Sequence, residues 1–413
     1  MSLAKRSLVG LDLTNVFMAD VRDGVGVYLS VYLLTVRKWD PSQIGIIVAL
    51  PGLISILAQS PAGNLIDETS RKRFLIILSS IIVAISCLVV IYLPSFYPIA
   101  ISQLALGIVA PIFQPCVSAI SLGLVGHALL RRRIGRNESF NHAGNMLAAI
   151  VAVFVGLYVS FEGIFYFSLF QCAALIASVL MIRSQDINHD VARAAARTHQ
   201  AIGSFWHDSR ALLKDRNTAC FILSLTLWNL ANGTMLPLLG QKLGIDDPLN
   251  SAYYLSLCII VAQATMILVA PWAAQRARSG RKLLFLFSFS LIPVRAILFA
   301  ILETKYALIS LQLIDGLGAG IYGVLSILMM ADFSRGTGRF NLLQGLTYSC
   351  MGLGGALSSV IGGYLASYLG YNQAFLWLAA IGLFGAAFFW FFVTDPLENR
   401  IRPTLDLESA PTH

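Results

Sequence analysis

Residues 63–73 read GNLIDETSRKR and form a charged loop between two long apolar runs. A weaker copy of this loop returns in the second half of the chain, at an offset of about 210 positions. Pro61, Arg71 and Lys72 recur there as Pro271, Arg281 and Lys282. A charged loop repeated once between apolar runs indicates a membrane protein built from two related halves.

The composition also indicates a chain that lies mostly inside a membrane. It has 413 residues, 57% of them hydrophobic and only 12% charged, which is about half the charged fraction of a soluble globular protein. Residues 74–93 and 374–393 carry no charge. A helix of about 20 residues spans roughly 30 Å, the thickness of the hydrocarbon core. The runs lack the alternation of polar and apolar residues that barrel strands show.

We expect an all-α polytopic membrane protein with twelve transmembrane helices, numbered span 1 to span 12 below. Their apolar runs cover residues 10–36, 41–62, 74–93, 98–125, 141–160, 163–182, 217–240, 251–274, 283–302, 306–330, 341–366 and 374–393.

The placement of lysine and arginine predicts the orientation of the spans. Most of the 29 basic residues fall before span 1, after span 12 or in every second loop. The alternate loops carry only Arg37, Lys38, Lys242 and Lys305. Because basic loops stay on the cytoplasmic side, both termini are expected inside, in a plasma membrane that we take to be a bacterial inner membrane. The net charge of +8 is then a topology signal, and no nucleic-acid partner is expected.

The repeat predicts two pseudo-symmetric six-helix bundles, at residues 1–182 and 217–393. Residues 183–216 are expected to be a cytoplasmic linker, and residues 394–413 a disordered cytoplasmic tail. Six spans followed by six in the same orientation imply halves related by an axis along the membrane normal. Residues at an offset of 209 pair polar positions in the two halves: Asp20 with Asn229, Asp23 with Asn232, Gln103 with Gln312.

The loop at residues 63–73 resembles the signature between spans 2 and 3 of the major facilitator superfamily. The basic-residue topology, the central linker and the six-plus-six repeat agree with that resemblance over nearly the whole chain. It implies a secondary active transporter that works by alternating access. In the implied gating motif of Gly63, Asp67, Arg71 and Lys72, Gly63 allows close helix contact. Asp67 and Arg71 would form a cytoplasmic latch, whereas Lys72 and Arg73 are read as fixing topology.

The second copy of the motif departs from this pattern. Ala273 replaces the glycine and Ala277 replaces the aspartate, so that only the basic residues remain. A symmetric second latch is therefore not expected.

Apart from Asp12 near the end of span 1, five charged residues fall inside predicted spans: Asp20, Arg22, Asp23, Arg295 and Asp315. A charge at the membrane centre costs about 2.5–3.5 kcal/mol on insertion scales and normally faces protein or water. Asp20 and Asp23 share one helical face, and either is a candidate proton-coupling carboxylate. The alternative is a local Arg22–aspartate pair that stabilises span 1.

Arg295 and Asp315 lie at nearly equal depths in neighbouring antiparallel spans, which predicts a salt bridge of structural or functional importance. Asp12 lies near the inner end of span 1, where headgroups or water are expected to reach it.

The resemblance further implies that spans 1, 4, 7 and 10 line a substrate cavity, and all four carry polar residues. With Arg22 and Arg295, the candidate cavity residues are Asp20, Asp23, Gln103, Gln114, Asn229, Asn232, Gln312 and Asp315.

A transporter of a small organic solute is therefore our leading interpretation, with protons as coupling ion and membrane lipids as surroundings. We expect a monomer, with no cofactor, no metal and no catalytic residues. Family base rates favour efflux slightly, and an importer of a metabolite or of a metal-chelate or siderophore-like solute is the alternative. A solute sensor that does not transport is the rival from another class. An enzyme is disfavoured because the histidines are scattered and no nucleophile–base cluster occurs.

Overall fold

The computed structural model describes residues 3–23, 25–188, 210, 212–277, 280–334 and 340–395. These residues are predominantly helical and contain no strand. Eleven helical stretches among them are long and apolar enough to cross a membrane. Most of the expected linker and tail lies outside the described residues. The all-α polytopic fold predicted from the sequence is thus confirmed.

The helices follow the predicted spans closely. The first six spans correspond to Leu3–Asp23 with Val25–Thr35, Pro41–Glu68, Lys72–Tyr92, Phe96–Tyr158 for spans 4 and 5 together, and Glu162–Met181. The last six correspond to Arg216–Asn232 with Met235–Asp246, Ser251–Arg276, Lys282–Ile301, Lys305–Ser310 with Gln312–Phe333, Phe340–Leu369 and Tyr371–Phe392. Single 3₁₀ turns are formed by Ser184–Asp186 and Pro248–Asn250.

Spans 7 and 10 are each interrupted by a short turn, at residues 233–234 and at residue 311. Span 1 is described as Leu3–Asp23 and Val25–Thr35, on either side of Gly24, and four charged residues lie within it. Spans 4 and 5 run on as one helical segment that is kinked at Gly126, where φ is 69°. That left-handed conformation favours glycine because a Cβ would clash with the backbone.

Aspartate–proline pairs begin helical segments at equivalent places in the two halves. The Asp40 side chain accepts a hydrogen bond from the backbone of Ser42 at 2.8 Å, and Pro41 occupies the first turn of span 2. Asp247 likewise accepts from Asn250, with Pro248 beside it, just before span 8. Both are helix N-caps, in which a carboxylate satisfies a backbone donor that the helix leaves free.

The internal repeat is also visible in the helix packing. Gly144 of span 5 lies so close to Val16 of span 1 that a Cβ on the glycine would overlap the valine carbonyl oxygen. Gly354 of span 11 lies against the carbonyl oxygen of Thr226 of span 7 in the same manner. Both residues of the second pair follow those of the first by about 210 positions. Small residues at these crossings allow the close helix contact on which membrane bundles depend.

The contacts between Cα atoms divide the chain into two compact units. Unit 1 comprises Met1–Gln200 with Gly240–Leu257, and unit 2 comprises Ala201–Leu239 with Cys258–His413. Unit 1 therefore includes the end of span 7 and the beginning of span 8, which the repeat assigns to the second half.

This added segment of unit 1 packs closely on residues 25–35 of span 1. A Cβ on Gly244 would come within 2.5 Å of the Thr35 methyl carbon. The Tyr28 hydroxyl and the Ser256 hydroxyl form a buried hydrogen bond of 2.9 Å. The end of span 7 and the beginning of span 8 are thus held to span 1 by both steric fit and a polar contact.

Candidate functional site

A buried ion pair joins spans 9 and 10 inside unit 2. Arg295 of span 9 binds the Asp315 carboxylate of span 10, so the pairing that their equal depth predicts is present. Arg295 is only 3% exposed, whereas the Asp315 side chain keeps 18% of its surface. The guanidinium also donates to the Asn232 side-chain oxygen of span 7 and lies 5.5 Å from the Phe299 ring centroid. Arg295 therefore connects three spans through polar contacts.

Gln312 lies one helical turn before Asp315 and is completely buried. Neither its amide oxygen nor its amide nitrogen has a hydrogen-bond partner among the described residues. The Arg295 Nε is likewise without a partner. Unpaired buried polar atoms are costly and rare, so they mark this part of unit 2 as an unusual environment. A role for Gln312 in a substrate cavity stays a prediction.

Asn229 lies on the same face of span 7 as Asn232 and contacts span 10. Its amide nitrogen donates to the Tyr322 hydroxyl and to the Leu225 carbonyl oxygen, both at 2.9 Å. The Tyr322 ring stacks on Trp228, with 3.7 Å between the ring centroids. The two asparagines predicted from the repeat thus both point into unit 2, toward spans 9 and 10.

In unit 1, Asp20 is half-buried in span 1. The Asp20 carboxylate interacts electrostatically with the thiols of Cys87 in span 3 and Cys172 in span 6. Asp20 also has a further interaction partner. Asp20 therefore faces other helices of unit 1. The side chains of Arg22 and Asp23 lie outside the described part of the structure.

The two glutamines of span 4 differ in their surroundings. Gln103 is 3% exposed and lines a cavity of about 170 Å³ inside unit 1. Gln114 is half-buried and has an interaction partner. Gln103 is therefore part of a cavity wall, whereas Gln114 interacts with another group.

The loop motif is only partly described by the structure. No described atom lies within 4 Å of a Cβ built on Gly63, and the close helix contact expected of Gly63 stays a prediction. Close approaches occur at other glycines, such as Gly144. Arg71 is exposed, and the Asp67 side chain lies outside the described residues, so the latch stays a prediction.

Lys72 is the unexpected member of this motif. It is only 1% exposed, and its Nζ donates to the Thr69 carbonyl oxygen at 2.7 Å. A charge that served only to fix topology would remain at the surface, so the burial of Lys72 indicates a packing role as well.

The second copy of the motif lacks the aspartate of the first copy, but its basic residues have acidic partners elsewhere in unit 2. Arg281 forms an ion pair with Asp332 at the end of span 10 and donates to the Leu328 carbonyl oxygen at 2.8 Å. The Asp395 carboxylate accepts from the backbone nitrogens of Arg281 and Lys282, at 2.9 and 3.1 Å. The start of span 9 is thus held by two aspartates that are distant in sequence.

Sequence reasoning missed a charge cluster in unit 1. Asp12 accepts from Arg133 at 2.6 Å, and from Arg136 at 3.0 and 2.7 Å. Arg133 also donates to Asn137. The hydrogen bonds and the charge of Asp12 raise the pKa of the Arg136 guanidinium. Asp12 is 6% exposed, so the expectation that water or headgroups reach it is wrong. The arginines within residues 131–136 were the sequence feature that could have indicated a partner for Asp12.

Comparisons with known proteins agree with this architecture. A family model described as Major Facilitator Superfamily matches residues 11–340 and 276–412. Two relatives from Mycobacterium tuberculosis are described as uncharacterized MFS-type transporters, MT2531 in strain CDC 1551 / Oshkosh and Rv2456c in strain H37Rv. Each is 36% identical over 410 residues, which is 96% of this chain and 96% of the relative.

Solved structures of the nucleoside transporter NupG share the fold. A mutant form of NupG has a TM-score of 0.79 at 15% identity, covering 95% of this chain and 100% of its own. Another NupG structure has a TM-score of 0.75 at 16% identity, covering 94% of this chain and 98% of its own.

Proposed function

The chain belongs to the Major Facilitator Superfamily, and we propose that it is a proton-coupled secondary transporter of a small organic solute in a bacterial plasma membrane. Membership of the family supports a secondary transporter, and we propose that it works by alternating access. The proposal adds the coupling ion, the residues that carry it and the direction of movement. We propose export as the direction.

The buried Arg295–Asp315 pair, with Asn232 as its third member, is the observation that carries this proposal. Ionisable residues inside membrane spans are costly and commonly mark substrate or proton pathways. Asp315 keeps part of its surface exposed while Arg295 is enclosed. A charged or polar group of a solute can therefore compete for Asp315, and the loss of that contact changes the environment of Arg295.

We assign the proton to Asp20, with Asp23 as the neighbouring candidate. Asp20 lies inside unit 1 on a membrane-spanning helix and is half-buried. A carboxylate whose access to water changes during a cycle changes its proton affinity, because burial disfavours the charged form. Asp20 can thus take up a proton in one conformation and release it in another.

The solute is identified first. Cells that lack the gene and cells that overproduce the protein are compared by untargeted metabolite analysis, inside and outside the cell. Export predicts that the solute accumulates inside the deletion strain. A failure to take up a compound would show import instead and would overturn the proposed direction.

The coupling is then measured with that solute in proteoliposomes that contain pyranine as an internal pH indicator. We expect D20N to lose accumulation driven by a pH gradient and to keep exchange of the solute across the membrane. E303Q, which changes an exposed carboxylate in the loop after span 9, is the control and should behave as wild type. If D20N and D23N both transport at the wild-type rate with proton movement, the assignment of the proton carrier is wrong.

The role of the ion pair is separated from its structural effect by a double variant. D315N alone leaves the Arg295 charge without its partner, whereas R295Q together with D315N removes both charges. A purely structural pair predicts that the double variant recovers transport. We expect the double variant to recover folding but not transport. Solute binding without any flux in the wild-type protein would instead support a sensor.

A further inference from the structure

Unit 1 contains a partly enclosed cavity of about 170 Å³ among spans 1 to 4. Its walls are mostly apolar, with contributions from each of these four spans. Representative lining residues are Val21, Leu29, Pro51, Val83, Cys87 and Phe113. Close packing normally leaves few voids larger than a water molecule in a protein interior, so a cavity of this size requires an explanation.

A few polar groups line the cavity in addition to its apolar wall. The Gln103 side chain belongs to the lining and is only 3% exposed. Ser86 is also in the lining and is 4% exposed. Gln103 is thus a buried hydrogen-bonding residue in the wall of this cavity.

The corresponding residue in unit 2 has a different environment. Gln312 follows Gln103 at an offset of 209, but it is completely buried, and neither of its amide atoms has a hydrogen-bond partner among the described residues. Gln103 therefore lines a cavity in unit 1, whereas its counterpart in unit 2 is buried without a polar partner. This difference provides a matched control within the chain.

The volume limits what the cavity can hold. An engineered apolar cavity of about 150 Å³ binds benzene, whereas sites for whole drug-sized ligands are about 300–1,000 Å³. The cavity in unit 1 therefore fits one ring but not a complete organic solute. A buried water would need two to four polar partners, and most of this wall is apolar.

We propose that this cavity is a binding subsite for a single aromatic or heteroaromatic ring that carries a hydrogen-bonding group, which Gln103 recognises. The inference rests on the proposed function, since it makes the transported solute an amphiphile with such a ring. The apolar wall binds the ring by excluding water. The Gln103 amide fixes its orientation, because both an amide donor and an amide acceptor are available.

The test uses benzamide as the probe and the full-length protein in nanodiscs. Binding is measured by saturation-transfer-difference NMR. The location is measured by peptide-resolved mass spectrometry of the thiols after reaction with methyl methanethiosulfonate. We expect benzamide to slow the modification of Cys87, which lines the cavity, and to leave Cys258 of unit 2 unchanged. Equal effects on both thiols, or on neither, would contradict a subsite in unit 1.

Variants of the lining give the expected magnitudes. Q103L should lower benzamide affinity by about 3- to 10-fold, the usual worth of one hydrogen bond. Q312L should leave it unchanged. V83F should lower affinity by about 10-fold or more by filling the cavity. G26V provides a second filling variant, since no described atom lies within 4 Å of a Cβ at Gly26 and the protein should fold.

The result also distinguishes this subsite from the proposed function. Benzamide binding at Cys87 in a protein that moves no solute would retain the subsite and reject proton-coupled transport. Normal transport together with unchanged benzamide affinity in G26V and V83F would retain the transporter and reject the subsite.

Discussion

Arg281 and Asp332 form an ion pair that joins the beginning of span 9 to the end of span 10. Arg281 occupies the place that Arg71 has in the first loop motif, and its carboxylate partner comes from a different span. Each side chain keeps only 14% of its surface exposed. Arg281 of the second motif copy therefore helps to hold spans 9 and 10 together inside unit 2, although Ala277 replaces the aspartate of the first copy.

We expect R281Q and D332N each to lower the free energy of unfolding in detergent by about 1.5–3 kcal/mol, because a charged hydrogen bond is lost. The double variant should lose less than the sum of the two, since neither partner is then left alone. The measurement is a double-mutant cycle from denaturant titrations. Strictly additive losses would show that the two residues do not interact.

The glycine contacts between spans predict a clear difference within one helix. G354A should destabilise the protein by about 1–3 kcal/mol, because the new methyl group meets the Thr226 carbonyl oxygen. G345A lies in the same helix with no described atom within 4 Å, so it should be neutral or should stabilise by up to about 1 kcal/mol. Melting temperatures in detergent measure both. A similar loss in the two variants would refute the steric account.

The cluster around Asp12 predicts unequal effects of its two arginines. Arg133 keeps 5% of its side-chain surface exposed, and Arg136 keeps 57%. D12N should lower stability by about 3 kcal/mol because it leaves a buried arginine without its carboxylate. R133Q should be nearly as harmful, whereas R136Q should have a small effect because water screens its charge. Thermal unfolding of the three variants ranks them, and a larger loss in R136Q than in R133Q would contradict the prediction.

Asp395 predicts a local effect at the beginning of span 9. D395A removes the acceptor for the backbone nitrogens of Arg281 and Lys282 and should cost about 1 kcal/mol, as the loss of a helix cap does. Hydrogen exchange of the amides at residues 281–285 should become faster. N217A provides a comparison, since Asn217 bonds exposed groups of the neighbouring Thr394. Exchange at 281–285 that does not respond to D395A would show that Asp395 is not their cap.

The elements that could be predicted from the sequence depend on local or periodic properties. Span limits follow from apolar run lengths, and the Arg295–Asp315 pair follows from counting depth in adjacent antiparallel helices. The common offset of about 210 residues makes Gly144 and Gly354 equivalent positions, but only the structure shows which residues they contact. The sequence therefore gives the position of a residue along a span, but not which neighbouring helix the residue contacts.

The rest depends on which helices become neighbours. The burial of Lys72 contradicts the ordinary preference of lysine for the surface, and nothing within residues 63–73 indicates it. Asp395 comes more than a hundred positions after Arg281, so no spacing rule connects them. The cavity beside Gln103 depends on the shapes of side chains from four spans, which a linear pattern does not contain.

The contact between Gly244 and Thr35 within unit 1 has a kinetic consequence. If the solute passes between span 1 and the end of span 7, this contact must open first. The free energy needed to part the glycine face and the nearby Tyr28–Ser256 bond then contributes to the activation barrier for turnover. A tight fit of small side chains between spans 1 and 7 would then help to set the rate of turnover.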